Sequence, residues 1–395
     1  MKRFTADNFT GCLVGGAIGD ALGYFVEFLS SDEIFEKYGE DGLVDFSQEE
    51  RDVHISDDTQ MTLFTANGLL YYFYTGEADG RTPQQCIYQA YLDWLESQKE
   101  TEESSPRVSW LLNVDAIRCR RAPGNTCLSA LEKGQAGTVG EPVNNSKGCG
   151  GVMRVAPVGL YADNPGLAVH LAADAAAMTH GHPLGYIPAA AYAYIINRII
   201  YTDDDLPEII TAMVEMLASV YGNHRETARL IELIARAVDL AAEGGLPDAY
   251  EGSDHHAEND PDPVVLAPPV KKYSSLDMKA ESLRLEKLGG GWVAEETLAI
   301  ALYCCLRFGD DFETAVKVAA NHSGDSDSTA SLTGAILGAA MGNSNMPTKY
   351  VMLLEMYDII SEVAKDLFEG CPASGNSTVP DTDELREKYG ELSYV

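Results

Sequence analysis

Apolar residues recur every three to four positions along most of this chain. That spacing puts them on one face of an α-helix. Over 205–221 the stripe is Ile210, Met213, Leu217, Val220 and Tyr221. Asp205 is placed to cap this helix, and Pro207 falls in its first turn, where an N–H is not needed. Residues 225–243 repeat the device with Leu230, Ile231, Ile234 and Val238, before Gly244 and Pro247 stop the helix. The same reading predicts helices over 8–23, 60–75, 83–97, 126–134, 165–178, 184–200, 293–307, 311–320, 328–341 and 346–367. Several are apolar all round, which predicts a place at the centre of a bundle. No stretch alternates with period two between hairpin turns, so the expected fold class is all-α, in one domain over 1–371. The segment 246–275, rich in Pro, Asp and His, reads as a long surface loop, and 372–395 as a polar tail.

Charge narrows the partners. The 395 residues are 45% hydrophobic, an ordinary globular balance, but the formal net charge is -33. Such a surface repels phosphate backbones and anionic lipid heads, which argues against nucleic acid and membrane partners. The Ala-rich run 184–200 comes closest to a bilayer span, yet it is short and carries Arg198. The N-terminal residues lack a cleavage-site pattern, so no signal peptide is expected. The eight cysteines (12, 86, 119, 127, 149, 304, 305 and 371) form no C-x-x-C pair and sit in apolar stretches. They read as buried free thiols, which points to the cytoplasm.

Two acidic clusters carry the candidate chemistry. Ser56-Asp57-Asp58-Thr59 immediately precedes an apolar helix, and Gly324-Asp325-Ser326-Asp327-Ser328 precedes one full of small residues. Helix capping explains one Ser or Asp at such a corner. It does not explain paired carboxylates flanked by hydroxyls, which repel unless a cation lies between them. Carboxylates and hydroxyls without thiolate or clustered imidazole suit a hard cation, Mg²⁺ first and Mn²⁺ next. If the two corners face each other, four carboxylates can hold two cations, as binuclear hydrolysis requires.

Other stretches suggest a ligand pocket around them. Gly15, Gly16, Gly19 and Gly23 crowd one predicted helix, where each glycine costs about 1 kcal/mol against alanine. Their density predicts close packing on another backbone, and Glu27 follows within reach of the cations. Pro123-Gly124-Asn125-Thr126 is a turn feeding a helix. Ser146-Lys147-Gly148-Cys149-Gly150-Gly151-Val152-Met153-Arg154 is a glycine loop whose N–H groups suit a pyrophosphate. Gly289-Gly290-Gly291-Trp292 adds flexible backbone beside an aromatic side chain. His180 and His182 fit a hydrogen-bonding pair at a helix end better than zinc ligands, since no further His/Cys cluster completes a site.

In this order the motifs resemble the ADP-ribosylglycohydrolase family. They are G-D-A-L-G-x-x-x-E at 19–27, S-D-D-T at 56–59, G-C-G-G-V-M-R at 148–154, T-H-G-H-P-L-G-Y at 179–186, G-G-W-V-A-E-E-T-L at 290–298 and G-D-S-D-S-T at 324–329. The resemblance implies an orthogonal all-α bundle with a binuclear Mg²⁺ or Mn²⁺ centre. It puts metal ligands on Ser56, Asp57, Asp58, Asp325, Asp327 and Ser328. Catalysis would fall to Asp57, Asp58, Asp325 and Glu27, the last on a movable segment. Gly150, Gly151, Val152 and Met153 would surround the diphosphate and its ribose, with His180 at the ribose end; Asn125, Thr126 and Trp292, read from the turn and the glycine stretch above, are expected to line the same pocket. Some relatives carry Tyr in place of Val152, and its stacking is absent here. The motifs look more like the arginine-specific than the serine-specific members. That implies hydrolysis of an ADP-ribosylated protein at the N-glycosidic bond to arginine, releasing ADP-ribose. A hydrolase of ADP-ribosyl-serine, O-acetyl-ADP-ribose or another ribosyl compound is the alternative. A non-catalytic binding or structural protein would predict eroded carboxylates, and here all are intact.

Overall fold

The computed structural model describes residues 3–49, 52–76, 79–99, 107–243, 249–250, 272–273, 276–374 and 382–390. Among them the chain forms the helices α1 (Ala6–Gly23), α2 (Ser31–Tyr38), α3 (Asp57–Tyr71), α4 (Pro83–Ser97), α5 (Asn125–Leu131) and α6 (Ala156–Tyr161). Next come α7 (Pro165–Ala177), α8 (Pro183–Tyr201), α9 (Leu206–Tyr221), α10 (Arg225–Ala242), α11 (Met278–Leu285) and α12 (Ala294–Phe308). The last are α13 (Phe312–Ala320), α14 (Ser326–Met341), α15 (Thr348–Val351), α16 (Tyr357–Glu369) and α17 (Thr382–Tyr389). The fold is all-helical, as the periodicity predicts. β-Pairing among the described residues is confined to Ala249–Tyr250 against Lys272–Tyr273 and a bridge between Gly148 and Val293. Apart from those two short strands, the expected surface loop 246–275 lies outside the described residues. No helix among them is long and apolar enough to cross a membrane.

The axis of the bundle is the α1–α14 pair. Gly11, Gly15, Gly19 and Gly23 recur every fourth residue and therefore share one face of α1. That face lies against α14 in reverse order. A Cβ on Gly11 would stand 2.4 Å from Gly338 O, on Gly15 2.3 Å from Gly334 O, on Gly19 2.0 Å from Ala330 O, and on Gly23 2.2 Å from Ser326 O. The predicted close packing is thus real, and its partner is the small-residue helix of the second acidic cluster. Backbone-to-backbone contact adds dispersion that side chains of any size would prevent. Gly334→Ala would put a Cβ 2.0 Å from Gly15 O. Forcing the helices apart costs about 3 kcal/mol, and alanine's better helix propensity returns about 1. The expected net loss of about 2 kcal/mol is read from the urea midpoint. A midpoint unchanged from wild type would mean the pair has slack.

Elsewhere the structure adjusts the sequence reading. α9 is capped by Asp205 with a full capping box to Glu208, as expected. Ile209, Ile210, Met213, Leu217 and Tyr221 are buried, but Val220 is 39% exposed. In α10 the buried face is Thr227, Leu230, Ile234, Ala237 and Leu240, whereas Val238 is exposed. At 100° per residue Val238 lies about 80° from the centre of its buried face, whereas Val220 falls between Ile209 and Met213 and is exposed near the end of α9. α2 carries a Ser30–Glu33 capping box, a signal present in the sequence and missed. The helix expected over 346–367 breaks into α15 and α16, with Met356 at φ 63. The break frees Glu355 to reach across the molecule. Its carboxylate accepts from Ile55 N at 3.1 Å and Arg121 Nη2 at 3.0 Å, and meets His54 Nδ1 at 3.1 Å. Within the stretch expected to be a polar tail, α17 forms and docks. Tyr389 is fully buried, and its hydroxyl donates to Asp366 at 2.6 Å.

Candidate active site

Both acidic clusters open helices. Ser56 is the N-cap of α3, its Oγ accepting from Asp58 N at 3.1 Å, and Asp325 is the N-cap of α14. The partial positive charge of a helix start favours carboxylates in that turn. Ser328 Oγ donates to Asp58 Oδ2 at 2.8 Å, so two corners 270 residues apart in sequence touch. α1 brings them together. Its Gly23 packs on Ser326 at the second corner. Asp20, one turn earlier and fully buried, accepts from Ser56 N at 3.0 Å, from Thr59 N at 3.0 Å and from the Thr59 hydroxyl at the first corner.

Neighbouring loops are tied to the same corners. Asp57 N donates to Arg121 O at 2.9 Å, and Asp57 Oδ2 accepts from Gly124 N at 3.0 Å. These bonds dock the Pro123–Thr126 turn, where Ala122 sits at φ 51. Cys149 N donates to Trp292 O at 3.2 Å, and Ala294 N to Lys147 O at 3.0 Å. Asp325 N donates to Gly290 O at 2.8 Å. At Gly324, φ 141 and a Cβ position only 1.9 Å from Gly290 O leave no residue but glycine.

The result is a cleft of about 480 Å³ lined by Glu27, Phe28, Asp57, Asp58, Asp325, Asp327 and Ser328 on the acidic side. Asn125, Thr126, Gly148, Cys149, Gly150, Met153, His180 and Trp292 line the other. Its size suits a small-molecule ligand. The five carboxyl groups are at most 7% exposed, and no Lys or Arg is among the described lining residues. Burial, and then the Asp327, Asp20, Asp57 and Asp325 charges, push the Asp58 carboxyl far up. Asp57 and Asp325 rise for the same reasons, burial first, with the Gly124 N–H partly opposing at Asp57. Glu27 is pushed up to about 10 by burial and then by Asp327, Asp325, Asp57 and Asp20, and Asp20 to about 7 by burial and Asp327.

This oxygen-only donor set fits hard divalent cations. Glu27 lines the cleft, and its Oε2 is buried with no hydrogen-bond partner among the described residues. No three His, Cys, Asp or Glu groups among the described residues converge at metal-ligand spacing. The carboxylates instead spend oxygens on protein donors, Asp58 on Ser328 and Asp57 on Gly124.

Three expected site residues do not face the cleft. Ser56 is fully buried with its Oγ turned to its own helix start. Gly151 and Val152 lie inside the wall, Val152 wholly buried in the core. The glycine loop also spends N–H groups internally: Gly148 N on Ser146 Oγ, Cys149 N on Trp292 O, and Val152 N and Met153 N on Cys149 O. Its glycines also meet a steric need, because Cβ atoms at 148, 150 and 151 would press on the His180 side chain at 3.0–3.4 Å. His180 bonds Thr179, and His182 caps α8 through Leu184 N, so the two histidines act separately. All eight cysteines are free, with Cys119 and Cys149 only half-buried.

The profile of the family described as ADP-ribosylglycohydrolase matches residues 1–377. The chain belongs to the ADP-ribosylglycohydrolase family. An uncharacterised Archaeoglobus fulgidus protein is 25% identical, over 92% of this chain and 96% of that protein. ADP-ribosylarginine hydrolase Tri1 of Serratia proteamaculans is 25% identical over 93% of this chain and 80% of that protein. Human ADP-ribosylhydrolase ARH3 is 24% identical, over 91% and 92% respectively. A solved structure titled ADP-ribosylglycohydrolase-related protein complex superposes with a TM-score of 0.59 and 21% identity, over 94% of this chain and 99% of that one. It shares the fold.

This member of the ADP-ribosylglycohydrolase family also builds its cleft with residues that the sequence reading passed over. Asp20 braces the first corner, and a lone acid inside an apolar, glycine-rich helix was its signal. Phe28 stands at the rim, 71% exposed, its ring stacked on Trp292 with centroids 6.2 Å apart. An exposed aromatic beside an acidic residue carries no periodic signature, so only the fold pairs it.

Proposed function

We propose that this protein is a divalent-cation-dependent hydrolase that removes ADP-ribose from arginine side chains of modified proteins. The observation that carries the reading is the contact between the two acidic corners, Ser328 Oγ to Asp58 Oδ2. It gathers Asp57, Asp58, Asp325 and Asp327 in one cleft, where they and Ser328 would hold two Mg²⁺ or Mn²⁺ ions, with Ser56 bracing Asp58 from behind. When bound, such ions orient ribose hydroxyls and make a nearby water more acidic.

The chain's own groups do the rest. The water oxygen bonds to the anomeric carbon of the distal ribose as the N-glycosidic bond breaks, and the electron pair leaves on the guanidine nitrogen. Glu27, whose raised pKa keeps it protonated, gives its proton to that strongly basic nitrogen and takes the water's proton in return. The exposed Phe28–Trp292 pair lies at the mouth, beside Glu27, where the leaving group emerges. Aromatic faces next to carboxylates suit a planar guanidinium, which stacks and remains charged. A serine leaving group offers neither feature. The name of the Serratia proteamaculans relative, an ADP-ribosylarginine hydrolase, supports the same choice.

A release assay on arginine-linked and serine-linked ADP-ribosylated peptides tests this, run with Mg²⁺, Mn²⁺ or EDTA. Arginine-linked ADP-ribose is expected to be released at least about tenfold faster, and EDTA to stop it. Faster release from serine, or release indifferent to chelation, would overturn the proposal.

A further inference from the structure

His180 lies at the inner end of the cleft with 1% of its surface exposed. Its Nε2 edge faces Gly148 and Gly150, which also line the cleft; Cβ atoms there would be 3.3 and 3.4 Å from Nε2. Its other nitrogen, Nδ1, is 2.8 Å from Thr179 Oγ1. That same hydroxyl accepts from Arg154 Nη2 at 2.7 Å. Arg154 is fully buried without a carboxylate among its bonded partners. It lies 4.2 Å over the Tyr91 ring, donates to Ala175 O at 3.0 Å, and points Nη1 at Met61 Sδ and Cys127 Sγ at 3.4 Å.

The hydrogen inventory of this row has a direction. A guanidinium has donors only, and it does not deprotonate in proteins. Thr179 Oγ1 therefore accepts on the Arg154 side, and its single hydrogen must leave on another. Two acceptors are within reach, the Nδ1 lone pair and the Cys127 thiol, and a thiol is a weak acceptor. With Nδ1 accepting, a neutral imidazole carries its hydrogen on Nε2.

We infer that Arg154 and Thr179 are positioning residues that lock His180 as a neutral Nε2–H donor aimed into the cleft, where it binds an oxygen acceptor of the ligand and carries no proton in the reaction. Burial first and the Arg154 charge second drive the His180 pKa down to about 3, which agrees with this arrangement. Of the titratable groups packed on the ring, Arg154 opposes a second proton, and the Cys127 thiol, pushed up to about 11 by burial, stays neutral. The role also explains why a glycine loop wraps the ring: it fixes the imidazole plane while leaving the Nε2 edge open. The ligand's being ADP-ribose rests on the proposed function, whereas the tautomer does not.

The test is imidazole ¹⁵N–¹H correlation spectroscopy on the full chain, with ADP-ribose affinity measured alongside by calorimetry. His180→Gln identifies the His180 signals among the eight histidines by their loss. Wild type is expected to show the Nε2–H tautomer with shifts flat over roughly pH 5–9. Thr179→Val should release that tautomer and weaken ADP-ribose binding about tenfold, and Thr179→Ser should restore both. An Nδ1–H tautomer or a titrating His180 in wild type would overturn the inference even if Thr179→Val fails to fold. So would a Thr179→Val protein with wild-type tautomer and affinity. Wild type that shows the Nε2–H tautomer but ignores ADP-ribose would refute the proposed substrate and leave the tautomer assignment standing.

Discussion

Replacing Asp57 and Asp58 together by alanine is expected to cut release of ADP-ribose from modified arginine by at least about a thousandfold, or roughly 4 kcal/mol of transition-state stabilisation. The two residues share the first turn of α3 and sit at most 5% exposed. Their loss removes half of the four aspartates in the cleft and the acceptor for Ser328 Oγ. The same variant should be at least as stable as wild type in EDTA. Each aspartate is held against burial and against neighbouring like charges, and alanine relieves both penalties. Activity and stability thus move in opposite directions, which separates a functional loss from simple unfolding. Near-normal turnover would show that the acidic corners are structural caps and nothing more.

Divalent cations should stabilise the wild-type chain, and more so at alkaline pH. Asp57, Asp58 and Asp325 have folded pKa values raised far above those of exposed carboxyls, with Asp20 near 7 and Glu27 near 10. Unfolded, all five titrate near 4. From about pH 4 up to the raised values the folded chain therefore binds more protons than the unfolded one. Stability then falls as pH rises through that window. Without cations the protein should melt at a lower temperature at pH 8 than at pH 5. Cations replace the missing protons. At a hundredfold excess over Kd they add about 2.7 kcal/mol, a Tm rise of several degrees. The rise should be larger at pH 8, where protons compete less for the carboxylates than at pH 5. A Tm indifferent to Mg²⁺, Mn²⁺ and EDTA at both pH values would contradict the cation reading.

Much of this could be read along the chain. Ser56-Asp57-Asp58 and Asp325-Ser326-Asp327 carry a local signal, because capping residues in excess of what a helix start needs must serve something else. The density of glycines at 15, 16, 19 and 23 announced a close backbone neighbour. The helix faces were legible to within one position, as Val220 and Val238 show by pointing outward. The misses were of another kind. Glu355 and Phe28 have ordinary neighbours in sequence and become significant only through what lies opposite them in space. The phosphate-loop reading of Gly150 and Gly151 did not foresee a second demand on them. The space they leave is in large part taken by the His180 side chain, which is distant in sequence.

By itself, then, the sequence determined the helical class, the two acidic corners and the glycine face of α1, since each depends on residues within a turn or two of one another. Tertiary structure alone decided that the glycine face meets α14 and that Asp20 reaches the start of α3. It also decided that the two corners share one cleft. These are long-range pairings, set by which surfaces can approach without a side chain between them and by which buried carboxylates find N–H partners. No local pattern encodes that choice.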